Sequence, residues 1–286
     1  MKPSKIELYM HSTYFTEVLD ENFNLCSTAT SFLYAYNLKK GCTTFNIAMI
    51  TNRHVVENAK YIRYTFNINN EYNEIIPGKT IQITFDEKQI KNFVFHPSGM
   101  DLAALDITDI FIDYKDNKSI NLNLTPITPI QIPDENEWKS LNSIEEVIMI
   151  GYPKGIWDHI NNLPVFRKGI TATHPSYDFK GNPEFLIDAA CLPGSSGSPV
   201  FLNNTGYYWN KDTGNYDLIS KFYFLGIQYQ IPIHSVMATS SSYDTPITLQ
   251  NGEVVIAKVP TNLGYIIKST ELSFVEKCLT KHSSIT

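Results

Sequence analysis

Pro193-Gly194-Ser195-Ser196-Gly197-Ser198-Pro199 stands between two apolar runs, Ala189-Ala190-Cys191-Leu192 and Val200-Phe201-Leu202. A serine hydroxyl is a weak nucleophile, so it needs a tight turn that presents Oγ to a base and aims backbone N–H groups at a developing oxyanion. Gly194 can reach positive φ and turn its N–H inward, and Gly197 lets other groups approach closely. Ser196 is the central candidate. On these seven residues alone, an ordinary Gly/Ser loop explains the stretch as well.

A second stretch supplies a base. Ile47-Ala48-Met49-Ile50-Thr51-Asn52-Arg53-His54-Val55-Val56 reads as a core strand running into a turn that ends in a histidine, a place where a side chain is held rigidly. A third, His96-Pro97-Ser98-Gly99-Met100-Asp101-Leu102-Ala103-Ala104-Leu105, sets an acid at the start of an apolar strand, where it can orient an imidazole and stabilise its protonated form. Asp101 is the candidate, with Asp106 and Asp86 as alternatives. Each residue alone has a bland reading, a surface histidine or a turn aspartate. Together they run His54, Asp101, Ser196, an order that differs from Ser-acid-His of α/β-hydrolases and Asp-His-Ser of subtilisins.

Composition agrees with that order. The chain has 286 residues, 13% aromatic, with 17 Tyr and 16 Phe, and short β-like runs recur between Asn, Asp, Gly and Pro from Thr30 to Ile267. Many strands without long helical patterns predict an all-β sandwich or barrel. Thr270–Leu279 has apolar residues at helical spacing and predicts one C-terminal helix. The polar stretch Pro126–Leu141 is the expected connection between two halves. A net charge of −6 argues against a nucleic-acid partner. Cys26, Cys42, Cys191 and Cys278 form no C-x-x-C pair, so free thiols are expected and no metal site is. No signal-peptide pattern or membrane-spanning run is visible, so an intracellular, cytoplasmic setting is expected.

These stretches resemble the trypsin-like serine peptidases, and more closely the bacterial branch of HtrA-type proteases and glutamyl endopeptidases. The motifs are Thr51–Val56, Met100–Leu105 and Asp188–Pro199, supported by Val147–Pro153, Phe224–Ile227 and Asn262–Ile267. The resemblance implies two six-stranded antiparallel β-barrels of the chymotrypsin type with a C-terminal helix. It divides the chain into an N-terminal extension 1–27, a first barrel 28–125, a connection 126–141, a second barrel 142–268 and a C-terminal helix and tail 269–286. It makes His54, Asp101 and Ser196 a catalytic triad, and the N–H groups of Gly194 and Ser196 an oxyanion hole. It sets a substrate pocket at Ala190, Cys191, Gly226, Ile227, Gln228, Gly264 and Ile266, with the strand 224–228 receiving the substrate and Gly226 small for that purpose. No cofactor is implied, and the expected partner is a protein or peptide substrate, with a regulatory protein as a further one.

Departures from the pattern carry expectations of their own. Digestive members have an Asp before the nucleophile that pairs with a newly cut N-terminus; here that position is Ser195, so activation by N-terminal cleavage is not expected. Ala190 removes the carboxylate of a trypsin-like pocket, and Gln228 stands where glutamyl endopeptidases have a histidine, leaving a small or medium apolar residue before the cut bond as the expectation. The chain ends soon after Ile267, so a bare peptidase domain without PDZ modules is expected. The insertions 203–221 and 232–251 are the candidates for partner contact or active-site gating. A catalytically silent binding module and an esterase with the same triad are the competing readings.

Overall fold

A computed structural model describes residues 4–38, 45–211, 213–237 and 256–282. The strands of the first half are β1 (Thr13–Leu19), β2 (Leu25–Tyr36), β3 (Asn46–Thr51), β4 (Tyr61–Asn69), β5 (Ile75–Phe85), β6 (Val94–Phe95) and β7 (Ala103–Asp106). Those of the second half are β8 (Glu146–Gly151), β9 (Val165–Thr171), β10 (Glu184–Asp188), β11 (Pro199–Asn210), β12 (Asn215–Gln230), β13 (Ile233–Met237), β14 (Ile256–Pro260) and β15 (Leu263–Lys268). The fold is the expected all-β one, with a short C-terminal helix, Ser273–His282.

The second half closes in the order β10-β15-β12-β11-β8-β9, a six-stranded antiparallel barrel. The first half is a seven-stranded sheet ordered β5-β4-β1-β2-β3-β7-β6, whose end strands share no hydrogen bonds, yet it wraps one apolar interior that runs from Phe85 to Leu105. The additional strand is β1, which pairs with both β2 and β4. Within the stretch expected to be an N-terminal extension, Thr13–Leu19 is therefore part of the first sheet. β1 lies inside the first sheet, between β4 and β2, and its polar residues are satisfied there. Glu17 accepts two hydrogen bonds from Arg63 on β4, at 2.7 and 2.8 Å, and Thr16 Oγ1 lies 2.7 Å from Ser31 Oγ on β2. The helix Lys5–Met10 also packs inward, with Tyr9 stacked on Phe201 at 5.2 Å between ring centres.

Strand periodicity builds the join between the halves. Along β2, Phe32, Tyr34 and Tyr36 face one way and Leu33 the other; along β3, Ala48 and Ile50 oppose Ile47 and Met49. The first set meets Phe201 of β11, Phe224 and Ile227 of β12 and Ile267 of β15 in one buried layer. Both faces of these strands are covered, which is why they read as unbroken apolar runs. The stretch 126–141 takes part in this packing. Ile127 is buried in the layer and exchanges backbone hydrogen bonds with Leu33 and Ala35, while Trp138 and Leu141 enter the second barrel's core.

β11 and β12 continue beyond the barrel as a hairpin. Tyr207 and Leu218 sit opposite each other on its open face, 81% and 75% exposed. Tyr208, on the other face, bonds to Glu145. Most of the second insertion, 238–251, and Cys42 lie outside the described residues. Cys26, Cys191 and Cys278 are free thiols. Among the described residues no helix is long and apolar enough to cross a membrane.

The C-terminal helix buries Phe274, Val275 and Leu279 on the inter-half layer. His96 joins it to the turn before Asp101: its Nδ1 accepts from Ser98 Oγ at 2.9 Å and its Nε2 lies 3.3 Å from Glu271 Oε2. Burial pulls the His96 pKa below its usual value, outweighing the opposite pull of Glu271. A histidine buried neutral binds fewer protons folded than unfolded, so its stabilising contribution is complete above the unfolded value of about 6.5 and is lost as pH falls through the folded one. Thermal unfolding of wild type should therefore come at lower temperature on moving from roughly pH 7.5 to roughly pH 5, and His96→Gln should flatten that dependence.

Candidate active site

The loop between β10 and β11 is folded tightly on itself. Ser195 N–H donates to Leu192 O at 3.0 Å, Ser198 N–H to Ser195 O at 2.9 Å, and Gly197 N–H to Gln228 O at 2.8 Å. Gly194 and Gly197 have φ of +89° and +85°. A Cβ at Gly197 would lie 1.9 Å from Thr30 O and 2.8 Å from Thr51 Oγ1, so the first half presses directly on the turn. The three serines then have different fates. Ser195 is buried with Oγ inward, accepting from Arg167 Nη1 at 2.6 Å, and Ser198 is buried against Thr30 at 3.2 Å. Ser196 alone is partly exposed, and its Oγ makes no hydrogen bond among the described residues. The N–H groups of Gly194 and Ser196 donate to nothing among the described residues.

His54 sits in the one-turn helix Arg53–Val56 that follows β3. Asp101 grips it at two points: Oδ1 accepts the His54 backbone N–H at 2.9 Å, and Oδ2 lies 2.6 Å from Nδ1. Asn52 Nδ2 donates to Asp101 O at 2.7 Å and fixes the acid's own backbone. A proton on Nδ1, shared with the carboxylate, leaves the Nε2 lone pair free to act as a base. The histidine side chain is 50% exposed and the aspartate 24%. The alternatives are committed elsewhere. Asp106 accepts from Tyr36 Oη at 2.7 Å and from Thr108, and Asp86 caps the helix Glu87–Ile90.

Thr30 and Thr51 bring the two parts to one place. Thr30 N–H donates to Ser196 O at 2.8 Å, and Thr51, three residues before His54, donates to Thr30 O at 2.9 Å. In the second barrel, burial and then the hydrogen bond to Glu184 raise the pKa of the Tyr229 phenol. No hydrogen bond joins His54 Nε2 to Ser196 Oγ. Catalytic hydrogen bonds in structures without substrate are often long, so the missing bond does not remove the pair from consideration.

The expected pocket divides. A Cβ at Gly264 would lie 2.5 Å from Cys191 Sγ and 3.6 Å from Gln228 Cγ, so these three residues meet, and Ala190 is exposed beside them. Burial pushes the Cys191 thiol up to about 11, which keeps it neutral. Gln228 Oε1 is buried without a partner. Ile227 and Ile266 are fully buried core residues and offer no surface to a substrate. Gly226 also has a different reason to be small. It pairs with Val200 on one side and Lys268 on the other, and a Cβ there would lie 2.1 Å from Ile267 O. At Gly226 and Ile227 the strand pairs with β11 on one edge and β15 on the other, so neither edge is open to a substrate strand there. Its free edge begins after Gln228, where β11 has ended. Thr30 and Arg167, which hold the loop from either side, carry no motif that sequence reading could have found.

A model of the trypsin-like peptidase domain matches residues 30–207, more than half of the chain. The chain belongs to that family. No curated protein matches it. Two solved structures of Rv3671c from M. tuberculosis are similar to it. The inactive form, a serine-to-alanine mutant, is 12% identical with a TM-score of 0.42, over 96% of this chain and 92% of that one. The active form of the protease is 14% identical with a TM-score of 0.41, over 94% and 81%.

Adding a methyl group at Gly197 tests whether the trypsin-like loop depends on contact with the first half. Gly197→Ala must displace Thr30 O from a site 1.9 Å away and hold a positive φ. We expect a loss on the order of 3 kcal/mol or more in urea unfolding. Gly206→Ala, with nothing within 4 Å of its Cβ, controls for positive φ alone and should cost about 1–2 kcal/mol.

Proposed function

We propose that the chain is a serine endopeptidase working through His54, Asp101 and Ser196. The observation that carries this reading is the two-point grip of Asp101 on His54, at 2.9 and 2.6 Å, beside a loop whose one uncommitted serine is flanked by free N–H groups. Ser196 Oγ attacks the carbonyl carbon of the bond to be cut while His54 Nε2 takes its proton. The Gly194 and Ser196 N–H groups receive the oxyanion, each donor being worth about 3–4 kcal/mol in comparable sites. Collapse of the tetrahedral species breaks the C–N bond, and His54 gives its proton to the departing amine. Water, deprotonated by His54, then hydrolyses the ester on Ser196. Asp101 stays ionised throughout, fixing the tautomer and stabilising the imidazolium.

The substrate backbone pairs with the free edge of β12 at Tyr229 and Gln230, and its side chain before the cut bond enters the recess of Ala190, Cys191, Gln228 and Gly264. The small, uncharged side chains at 190, 191 and 264 support a small or medium apolar residue there. Placement in the HtrA-type and glutamyl endopeptidase branch, in a bacterial cytoplasm and under a protein partner's control, belongs to the same proposal. It is supported by the Thr51–Val56 and Asp188–Pro199 motifs, by Ser195 in place of an acid, and by the free thiols.

A serine-directed fluorophosphonate should label the wild type and not Ser196→Ala. Absence of label on wild type would overturn the peptidase reading in favour of a silent binding module, and hydrolysis of simple esters without peptides would overturn it in favour of an esterase. Asp101→Asn should lower kcat by about 10⁴-fold with little change in fold, because the imidazole loses its tautomer. Proteome-wide comparison of new N-termini between wild type and Ser196→Ala reads the pocket, and cleavage mainly after Arg, Lys or Glu would overturn its assignment.

A further inference from the structure

We propose that Arg167 is the positioning residue of the oxyanion loop: from inside the second barrel it holds Ala190 and Ser195, and so sets the direction of Ser196 and of the Gly194 N–H. The inference rests on the peptidase reading for its purpose, though not for its geometry.

β9 alternates, with Phe166 and Ile170 exposed and Arg167 and Thr171 turned into the barrel. An arginine is the residue least expected at an inward position, and Arg167 is only 8% exposed. Among the described residues no carboxylate forms an ion pair with it, so ion pairing does not offset its desolvation. What the guanidinium does have is the loop. Nη1 donates to Ser195 Oγ at 2.6 Å and to Ala190 O at 3.0 Å. Ser195 Oγ accepts in turn from Leu192 N–H at 3.4 Å. One fixed group thus ties three points of the segment leading to the nucleophile. With Ser195 held inward, the next side chain, Ser196, is directed outward.

The site also explains why Ser195 is compatible with a formed loop. An acid at this position needs a cation delivered to it, whereas a serine hydroxyl accepts a hydrogen bond from a cation already built into β9. Arg167 stays charged at neutral pH although burial lowers its pKa to about 10. The neighbouring Cys191 thiol, itself neutral, is no counter-ion. Arg167 Nε and Nη2 have no partner among the described residues. They are where an acidic substrate side chain would bind if the arginine were instead the base of the pocket, and the same experiment separates the two roles.

Arg167→Met, Arg167→Lys and Ser195→Ala are compared with wild type by peptide hydrolysis, thermal unfolding and amide hydrogen exchange read by NMR at Ser195 and Ser198. Both amides are bonded within the loop. Arg167→Met should lower kcat about 100-fold with KM changed less than about 3-fold, as for loss of an oxyanion donor. Arg167→Lys should recover at least about 10-fold of that loss. In Arg167→Met and Ser195→Ala the two loop amides should exchange about 10-fold faster or more, while β8 and β12 keep their protection. Unchanged loop exchange in Ser195→Ala, together with wild-type kcat, would overturn the proposal even if Arg167→Met failed to fold. A loss in Arg167→Met confined to substrates with Asp or Glu before the cut bond would overturn it in favour of the pocket role. Exchange does not require catalysis, so a wild type that fluorophosphonate does not label would sink the peptidase reading and still leave Arg167's hold on the loop decided.

Discussion

One threonine joins the halves at the point where chemistry is proposed. Thr30 N–H donates to Ser196 O, its Oγ1 donates to Gly194 O at 3.0 Å and accepts from Tyr152 N–H at 3.1 Å, and its carbonyl receives Thr51 Oγ1. With Ser198 Oγ at 3.2 Å, the hydroxyl's one donor and two acceptor positions are all used. Thr30 is fully buried, so a loop displaced from it leaves several of these groups unpaired. The proposed base and acid, His54 and Asp101, lie in the first half and the proposed nucleophile, Ser196, in the second. Thr30 makes their relative placement a matter of hydrogen-bond geometry rather than of apolar contact alone.

Apolar contact brings the sheets together without fixing their slide. The layer of Phe32, Tyr34, Ile50, Phe201, Phe224 and Ile267 is non-directional, and aromatic side chains tolerate small shifts at little cost. Polar bonds cluster at the rim of that layer, around Thr30, Thr51 and Gly197, where a shift of a few tenths of an ångström is felt. The helix Ser273–His282 closes another part of the same layer, and through His96 it reaches the turn that carries Asp101. Association and alignment are therefore carried by different residues.

What sequence reading could reach follows from the same division. His54, Asp101 and Ser196 stand at the ends of apolar runs, Ser196 next to Gly197, local features that a linear pattern displays. β1 escaped because its Glu17 and its Ser/Thr neighbours read as surface, whereas their partners Arg63 and Ser31 lie on other strands. β9 has no inward face legible in the sequence, because Val165-Phe166-Arg167-Lys168 carries two adjacent basic residues and only barrel closure shows which one faces in. Gly226 was assigned to substrate because the motif is right and the register was unknown; pairing with β11 and β15 gives the smallness to the fold instead. Long-range pairing, which no local window contains, accounts for each of these differences.

The exposure of the dyad decides how Asp101 contributes. A carboxylate beside an imidazolium stabilises it strongly only where water is excluded, and here the histidine side chain is half exposed. Screening weakens the charge interaction but leaves the hydrogen-bond geometry intact. The two-point contact, to the ring and to the backbone N–H of the same residue, fixes the rotation of the imidazole as well as its tautomer. Neither effect requires a dry site. In the proposed mechanism, with His54 at an open rim, Asp101 therefore contributes orientation more than electrostatic depth, and the burial that matters lies across the join, under the loop of Ser196.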